Sequence, residues 1–304
     1  SHVHVFAPDG AAVSFTYEDA VLEAAVAAGA VTERSLRGVG VSVCGRPTLV
    51  PKTHPRNHDG SAFTVLASRL ADAPRPGSDE ISRACEEAWI GTNGYVRADG
   101  SRQRRAIAFQ GSVVTAAGTT LSEVFVLDLP DDLADHAVAG AGPLAGTATT
   151  RPMPPRGVTQ RRLTFTAHRR HPGVQGPRHW LRSSPDGSRI AFLMRDDAGV
   201  VQVFTVNPAG GEPRQVTHDA TGVASAFSWS PDGRSLACVI DGSVCLVAAD
   251  SGAVTRLTPP VRDASAPRPE ACVIAPDGRR IAFVRHVAGS DGRTWNQIFA
   301  VETR

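Results

Sequence analysis

The chain alternates short apolar runs with polar turns, and one turn sequence recurs four times. Pro-Asp-Gly stands at residues 8–10, 185–187, 231–233 and 276–278, so the last three copies are 46 and 45 residues apart. Each copy is followed by an apolar run such as Ile190–Phe192 or Leu236–Cys238. Proline favours the second position of a type I turn, and glycine accepts the positive φ that closes it. Each repeat therefore predicts two strands joined by a tight turn.

A period of about 45 residues built around such a turn is typical of a β-propeller, in which each blade is a four-stranded sheet. In the clearest repeat, the predicted strands cover residues 180–184, 189–194, 201–206 and 214–217. The predicted fold class is all-β, with five visible blades of which the last has no fourth strand. We interpret residues 1–304 as a single propeller domain that lacks its N-terminal blades and belongs to a seven-bladed ring. A six-bladed ring, or another segment that fills the gap, is the alternative.

The first half of the chain follows the repeat less closely. Its first blade has predicted strands at 2–7, 13–17 and 39–43, and the alanine-rich stretch 21–31 fits either a helix or a strand. A second blade, with strands at 62–68, 105–110, 123–127 and 161–164, is opened by insertions at 69–104 and 131–158. One short inserted helix is predicted from Ser78 to Trp89, because Ile81, Cys85 and Trp89 recur every four residues and two acidic residues follow the Ser78 cap.

The composition argues against two kinds of binding partner, nucleic acids and membranes. The net charge of +2 argues against general nucleic-acid binding, and the chain contains no apolar run of about 18 residues that would cross a membrane. The five cysteines are odd in number and form no Cys-x-x-Cys pair, which favours a reducing, cytoplasmic location. The chain begins without methionine and inside a predicted strand, so the periplasm stays an alternative.

The repeated turn, together with strands that end in Arg-Leu-Thr, resembles the TolB-like propeller repeats over residues 184–304 and 1–20. A closer resemblance, to an uncharacterised bacterial propeller family related to oligogalacturonate lyases, rests on the phrases at residues 1–6, 54–56, 76–81, 161–166 and 176–180. Those lyases hold a divalent metal with histidines in the channel and cleave acidic sugars by β-elimination. The resemblance implies such a site, although this chain does not match a complete lyase ligand set.

Aligning the blades on the turn proline predicts which residues share the channel rim. Six residues before each proline stand His2, His179, Ser225 and Glu270. Because strand side chains alternate in direction, equal offsets point the same way in every blade. Two imidazoles and a carboxylate on one rim predict a divalent-cation site for Mn²⁺ or a similar ion. The predicted metal ligands are His2, His4 and His179; solvated strand ends are the alternative.

A second feature is a stretch rich in arginine. Residues 151–182 contain eight arginines and no aspartate or glutamate. Arginine binds carboxylates and phosphates with a paired fork, so the stretch predicts an acidic sugar or another small anionic ligand. A solvated strand and loop paired with acids elsewhere is the alternative. The predicted substrate-binding residues are Arg169, Arg170, Arg178, Arg182, Ser225 and Glu270.

Two functions follow as hypotheses. The first is a metal-assisted lyase that acts on uronate-type oligosaccharides, with His179, His54, Arg178 and Arg56 as catalytic residues. The second is a non-enzymatic TolB-like propeller that binds a protein or peptide partner. Neither hypothesis includes nucleic acid or a membrane.

Overall fold

The chain folds into antiparallel sheets arranged in two compact units, Ser1–Leu163 and Thr164–Arg304. The computed structural model describes residues 2–303 other than 54, 56, 178, 179 and 271, and of residues 2 and 3 it describes the backbone alone. Each unit is built from propeller blades around its own buried apolar residues, and the predicted all-β class is confirmed.

The first blade pairs four strands in chain order. Its turn at residues 8–10 closes as predicted, because Gly10 has a φ of 70° and its N–H donates to the carbonyl of Ala7 at 2.8 Å. The strands are β1 His2–Phe6, β2 Ala12–Tyr17, β3 Gly38–Thr48 and β4 Gly60–Leu66. The segment predicted to begin the second blade, residues 62–68, therefore belongs largely to the first blade as its last strand.

One short helix, α1 (Ala20–Ala27), connects β2 to β3. The carboxylate of Asp19 caps it by accepting from the backbone N–H groups of Val21 and Leu22, and Leu22 is the residue of the helix that is buried. The alanine-rich stretch 21–31, for which the sequence left helix and strand open, is thus helical as far as Ala27. In the part of the chain that the structure describes, no helix has the length and apolar character needed to cross a membrane.

The second blade begins with an edge strand that the sequence analysis predicted to be a helix. The strands are β5 Ile81–Trp89, β6 Tyr95–Val96, β7 Arg102–Gln103, β8 Ala106–Val114, β9 Thr120–Asp128 and β10 Thr159–Arg162. The sheet of this blade has the order β10-β9-β8-β5, and β6 and β7 form a separate hairpin. The connection between β9 and β10 contains a 3₁₀ turn at Leu133–Ala137 and an isolated bridge from Ala139 to Pro155.

The helix prediction for Ser78–Trp89 is wrong because β5 contains two bulges. Its register against β8 shifts once between Ile81 and Ala84, and again between Cys85 and Ala88. Each bulge adds one residue to the strand and turns the ordinary period of two into steps of three and four. The bulged strand therefore shows the same apolar spacing as an amphipathic helix.

The unit Thr164–Arg304 contains the other three blades. Two of their sheets have four strands in chain order and the last described sheet has three, so five blades are present and the seven-bladed ring stays a prediction. The strands are β11 Arg182–Ser183, β12 Ile190–Arg195, β13 Val201–Val206, β14 Arg214–Gln215, β15 Ser228–Trp229, β16 Ser235–Ile240, β17 Ser243–Ala248, β18 Val254–Arg256, β19 Val273–Ile274, β20 Arg280–Ala288 and β21 Thr294–Glu302.

Candidate functional site

The predicted rim positions of the last two blades lie next to each other. The N–H of Ala226 donates to the carbonyl of Pro269 at 3.0 Å, which joins the neighbours of Ser225 and Glu270. Ser225 is fully buried, and its hydroxyl donates to the carbonyl of Ala226 at 2.6 Å and accepts from the N–H of Val239 at 2.8 Å. Glu270 forms an ion pair with Arg268 at 3.0 Å. The backbones next to these two positions are thus in contact, and the shared channel rim stays a prediction.

The predicted metal ligands fall mostly outside the described part of the chain. His54, Arg56, Arg178 and His179 are not among the described residues, and for His2 only the backbone, in β1, is described. His4 is exposed and stacks on Phe15, with 6.0 Å between the ring centroids. Among the described residues, no group of three histidine, cysteine, aspartate or glutamate side chains has the arrangement that would hold a metal ion.

The first four arginines of the acid-free stretch pair with acids from other parts of the sequence. Arg151 is buried and lies 2.6 Å from Asp72 and 3.7 Å from Glu33. The other three pairs are Arg156–Asp135 at 2.5 Å, Arg161–Asp128 at 3.6 Å and Arg162–Glu123 at 3.0 Å. These contacts agree with the alternative interpretation of the stretch, in which its charges are balanced by acids elsewhere.

The predicted substrate-binding arginines have mixed surroundings. Arg169 lies 3.5 Å from Asp197 and over the ring of Phe204, and Arg182 lies over the ring of Trp180. Arg170 is exposed. With Arg178 outside the described residues, the binding role of this group stays a prediction.

A cleft of about 670 Å³ lies in the unit Ser1–Leu163, where the segment 67–81 faces the segment 153–160. Its lining includes five larger apolar side chains: Leu70, Ile81, Met153, Pro154 and Val158. Ile81 is fully buried in the core of the unit, and Leu70 and Val158 pack against the same core. The apolar wall of the cleft is thus continuous with the folded core, which holds it in place.

Charged groups form the rim of this cleft. Arg75 and Glu80 pair at 2.9 Å, and the backbone N–H of Arg75 also donates to that carboxylate at 2.9 Å. These contacts, the backbone hydrogen bond first among them, hold the pKa of Glu80 below its ordinary value. Asp79 lies 3.6 Å from Arg162. Both acids of the rim therefore have an arginine partner.

Arg69 differs from the other charged residues of the rim. Its side chain is exposed, and it forms no ion pair with any acid in the described part of the chain. Its backbone is held on both sides by one amide, because its N–H donates to Oε1 of Gln160 at 2.9 Å and its carbonyl accepts from Nε2 of Gln160 at 3.2 Å. The guanidinium is thus available to a ligand, while the residue that carries it is fixed.

A buried carboxyl group lies on β5, in the second bulge. Glu87 is 2% exposed, and neither of its carboxylate oxygens has a hydrogen-bond partner among the described residues. The preceding residue, Glu86, has a φ of 57°, which is rare for a residue other than glycine. Burial raises the pKa of Glu87 to about 7; the charge of Glu86 adds to the shift, and Arg37 opposes it.

The residues of this cleft and Glu87 were not indicated as site residues by any motif in the sequence. Arg69 and Glu87 lie in the range 69–104 and Met153 in the range 131–158, both of which were predicted as insertions. Apolar residues such as Leu70 and Met153 inside polar, proline-rich segments were the available signal. The two segments face each other because of strand pairings that the sequence alone did not reveal.

A protein family and a bacterial protein are similar to this chain in sequence. Residues 1–58 match the family described as "Protein of unknown function (DUF3748)". The chain is 47% identical over 285 residues to "Uncharacterized protein YidR" of Escherichia coli (strain K12), an alignment that covers 93% of this chain and 64% of YidR. The chain therefore spans less than two thirds of the length of this relative.

Solved structures match over nearly the whole chain. The puromycin hydrolase S511A mutant complexed with PGG has a TM-score of 0.54 at 13% identity, covering 99% of this chain and 35% of the hydrolase. A putative TolB from Agrobacterium tumefaciens has a TM-score of 0.46 at 13% identity, covering 99% of this chain and 81% of TolB. At such identities a likeness concerns the fold alone. The β-propeller prediction is confirmed by the blade topology, and the relation to oligogalacturonate lyases stays a prediction.

Proposed function

We propose that this β-propeller binds an extended peptide segment of a protein partner in the cleft between the segments 67–81 and 153–160. This is the non-enzymatic alternative of the two functions that the sequence indicated. The observation that carries the proposal is the cleft itself, because its volume of about 670 Å³ lies within the ordinary range of ligand sites and its lining combines apolar with polar residues.

The lining favours a peptide over an acidic sugar. Leu70, Met153 and Val158 supply apolar surface, which stabilises buried aliphatic side chains. An oligosaccharide of uronate type has no aliphatic side chain to bury against these three residues. A peptide can place an apolar side chain in the cleft and keep its polar groups at the rim.

The strand β10 gives the cleft a second feature suited to peptides. In the described part of the chain, β10 pairs with β9 alone, and Thr159 and Gln160 at its start line the cleft. An outermost strand has backbone groups that can pair with an added extended segment. Because side chains alternate along a strand, a peptide paired here would direct every second residue to the same side.

Binding of an octapeptide array, followed by fluorescence anisotropy of the best peptides, tests this function. Met153→Glu and Thr159→Glu should each weaken binding at least tenfold, because they place a negatively charged side chain in the cleft. Thr159 is exposed, so its variant should leave the fold intact. Leu49→Glu is the matched control, since Leu49 is 86% exposed and does not line the cleft. Equal affinities for all four proteins would exclude the cleft as the binding site.

The metal-assisted lyase stays a second proposal that rests on the sequence resemblance. Its ligands would be His2, His4 and His179, with His54, Arg56 and Arg178 beside the substrate. Elemental analysis of the purified protein tests it directly: about one divalent ion per chain, lost in His179→Ala, supports the site. A metal-free protein with unchanged properties in His179→Ala argues against it. The cytoplasmic location is likewise a proposal.

A further inference from the structure

We propose that Arg69 makes the cleft selective for peptides that carry a carboxylate beside an apolar side chain. The inference rests on the proposed peptide-binding function and adds the chemistry of the ligand. Arg69 lines the cleft together with Leu70 and Met153, so a charged group and an apolar wall face the same occupant.

The other charged residues at the rim of this cleft do not neutralise the charge of Arg69. Glu80 is paired with Arg75 at 2.9 Å, and Asp79 is paired with Arg162 at 3.6 Å. Within the described residues no acid lies within ion-pair distance of Arg69. The rim therefore offers a positive charge without a partner, while its negative charges are already neutralised by neighbours. A ligand carboxylate is attracted here, and an ammonium group gains less.

The fixed backbone of Arg69 makes the contact more favourable. The amide of Gln160 holds the N–H of Arg69 at 2.9 Å and its carbonyl at 3.2 Å, so the backbone of Arg69 is already ordered and only its side chain loses freedom on binding. A preorganised group loses less conformational entropy when it meets its ligand. The planar guanidinium can then bind both oxygens of a carboxylate with two parallel hydrogen bonds.

The occupant that fits is an acidic, partly apolar peptide. Its carboxylate can come from an aspartate or glutamate side chain or from a free C-terminus, because Arg69 recognises the same group in both. Because Arg69 and Leu70 both line the cleft, we expect the carboxylate to lie near the apolar side chain of the peptide.

Matched peptides test the proposal with fluorescence anisotropy. One series of octapeptides has leucine or methionine followed at one to four residues by glutamate or aspartate, and a second series has glutamine or asparagine in those places. Each peptide is made with a free and with an amidated C-terminus, which separates the two sources of carboxylate. The acidic series should bind the unmodified chain about tenfold more tightly, and added salt should reduce this advantage.

Three variants locate the effect. Arg69→Gln should abolish the preference, so that the acidic and the neutral series bind this variant equally, and Arg69→Lys should keep part of the preference. Arg102→Gln removes the same charge from an exposed residue of the same unit that does not line the cleft, and should keep the full preference. Equal binding of the two series, or equal losses in Arg69→Gln and Arg102→Gln, would overturn the role of Arg69 while leaving peptide binding intact. Failure of every peptide in both series would overturn the proposed function itself.

Discussion

The indole Nε1 of Trp229 donates a hydrogen bond of 3.0 Å to the carbonyl oxygen of Arg182. These residues lie in β15 and β11, the first strands of two consecutive blades. In the other unit, Trp89 of β5 donates to the carbonyl of Val5 in β1 at 3.0 Å, which repeats the same relationship. A tryptophan in one first strand thus holds the backbone of the first strand of the preceding blade.

Replacing Trp229 should loosen this contact between blades. Trp229→Phe keeps most of the apolar surface and removes the N–H that donates to the carbonyl of Arg182. We therefore expect a loss of about 1 kcal/mol in the free energy of unfolding, which urea denaturation measures. Trp295→Phe, a change at a side chain that is 49% exposed, is the control and should have a smaller effect. Equal stability of Trp229→Phe and the unmodified chain would show that the hydrogen bond contributes nothing.

Glu87 should make the stability of the unit Ser1–Leu163 decrease as pH rises from 4.5 to about 7. Its pKa is about 7 in the folded chain, against an ordinary value of 4.5, so the folded state holds its proton more tightly than the unfolded state. The stabilisation is complete below pH 4.5 and is lost as pH rises to about 7, a difference of roughly 3 kcal/mol. Unfolding free energies measured from pH 4 to 8 should show this decrease.

Glu87→Gln should remove that decrease, because glutamine stays neutral over the whole range. Glu23→Gln, at an exposed residue in the first turn of α1, should keep the decrease. An identical pH dependence in Glu87→Gln and the unmodified chain would contradict the assignment to this carboxyl group.

His136 should lower the free energy of unfolding in acid. It is fully buried, and neither ring nitrogen has a partner among the described residues. Burial lowers its pKa from 6.5, with the charges of Arg105 and Arg46 adding to the shift, so the unfolded chain binds the proton first. Stability should therefore fall as pH drops below 6.5 toward the lowered pKa of the folded state.

Thermal unfolding of His136→Phe between pH 4 and 7 tests the role of this ring. The variant should lose less stability in acid than the unmodified chain does. His58→Phe, at an exposed position of the same unit, should behave like the unmodified chain. The idea fails if acid destabilises all three proteins equally.

Two arginines of the acid-free stretch should differ in importance. Arg151 is 8% exposed at its side chain and lies 2.6 Å from Asp72, whereas Arg156 is 64% exposed and lies 2.5 Å from Asp135. Arg151→Met should cost about 2 kcal/mol, because it leaves two partly buried acids without their cation, and Arg156→Met should cost less than about 1 kcal/mol. Urea denaturation of the two variants compares them directly; equal losses would contradict the structural role of Arg151.

The blades could be predicted from the sequence because their turns and strands depend on short stretches of residues. The turns at Pro185–Gly187 and Pro231–Gly233 depend on residues that are adjacent in sequence, and in both a serine hydroxyl donates to the turn aspartate at 2.6 Å. The strands that flank these turns lie close to their predicted positions. Ser78–Trp89 failed because bulges copy the spacing of a helix, and a bulge exists only in relation to a partner strand.

The amino-acid sequence by itself determined the repeating turns, the short apolar strands and hence the propeller blades, because proline, glycine and alternating side chains act over a few neighbouring residues. The tertiary structure decided which blade each strand joins, where Glu87 is buried and that Arg69 lies beside the apolar wall that includes Met153. These features arise from contacts between residues such as Arg69 and Gln160, which are 91 positions apart in the chain. No short stretch of sequence contains them.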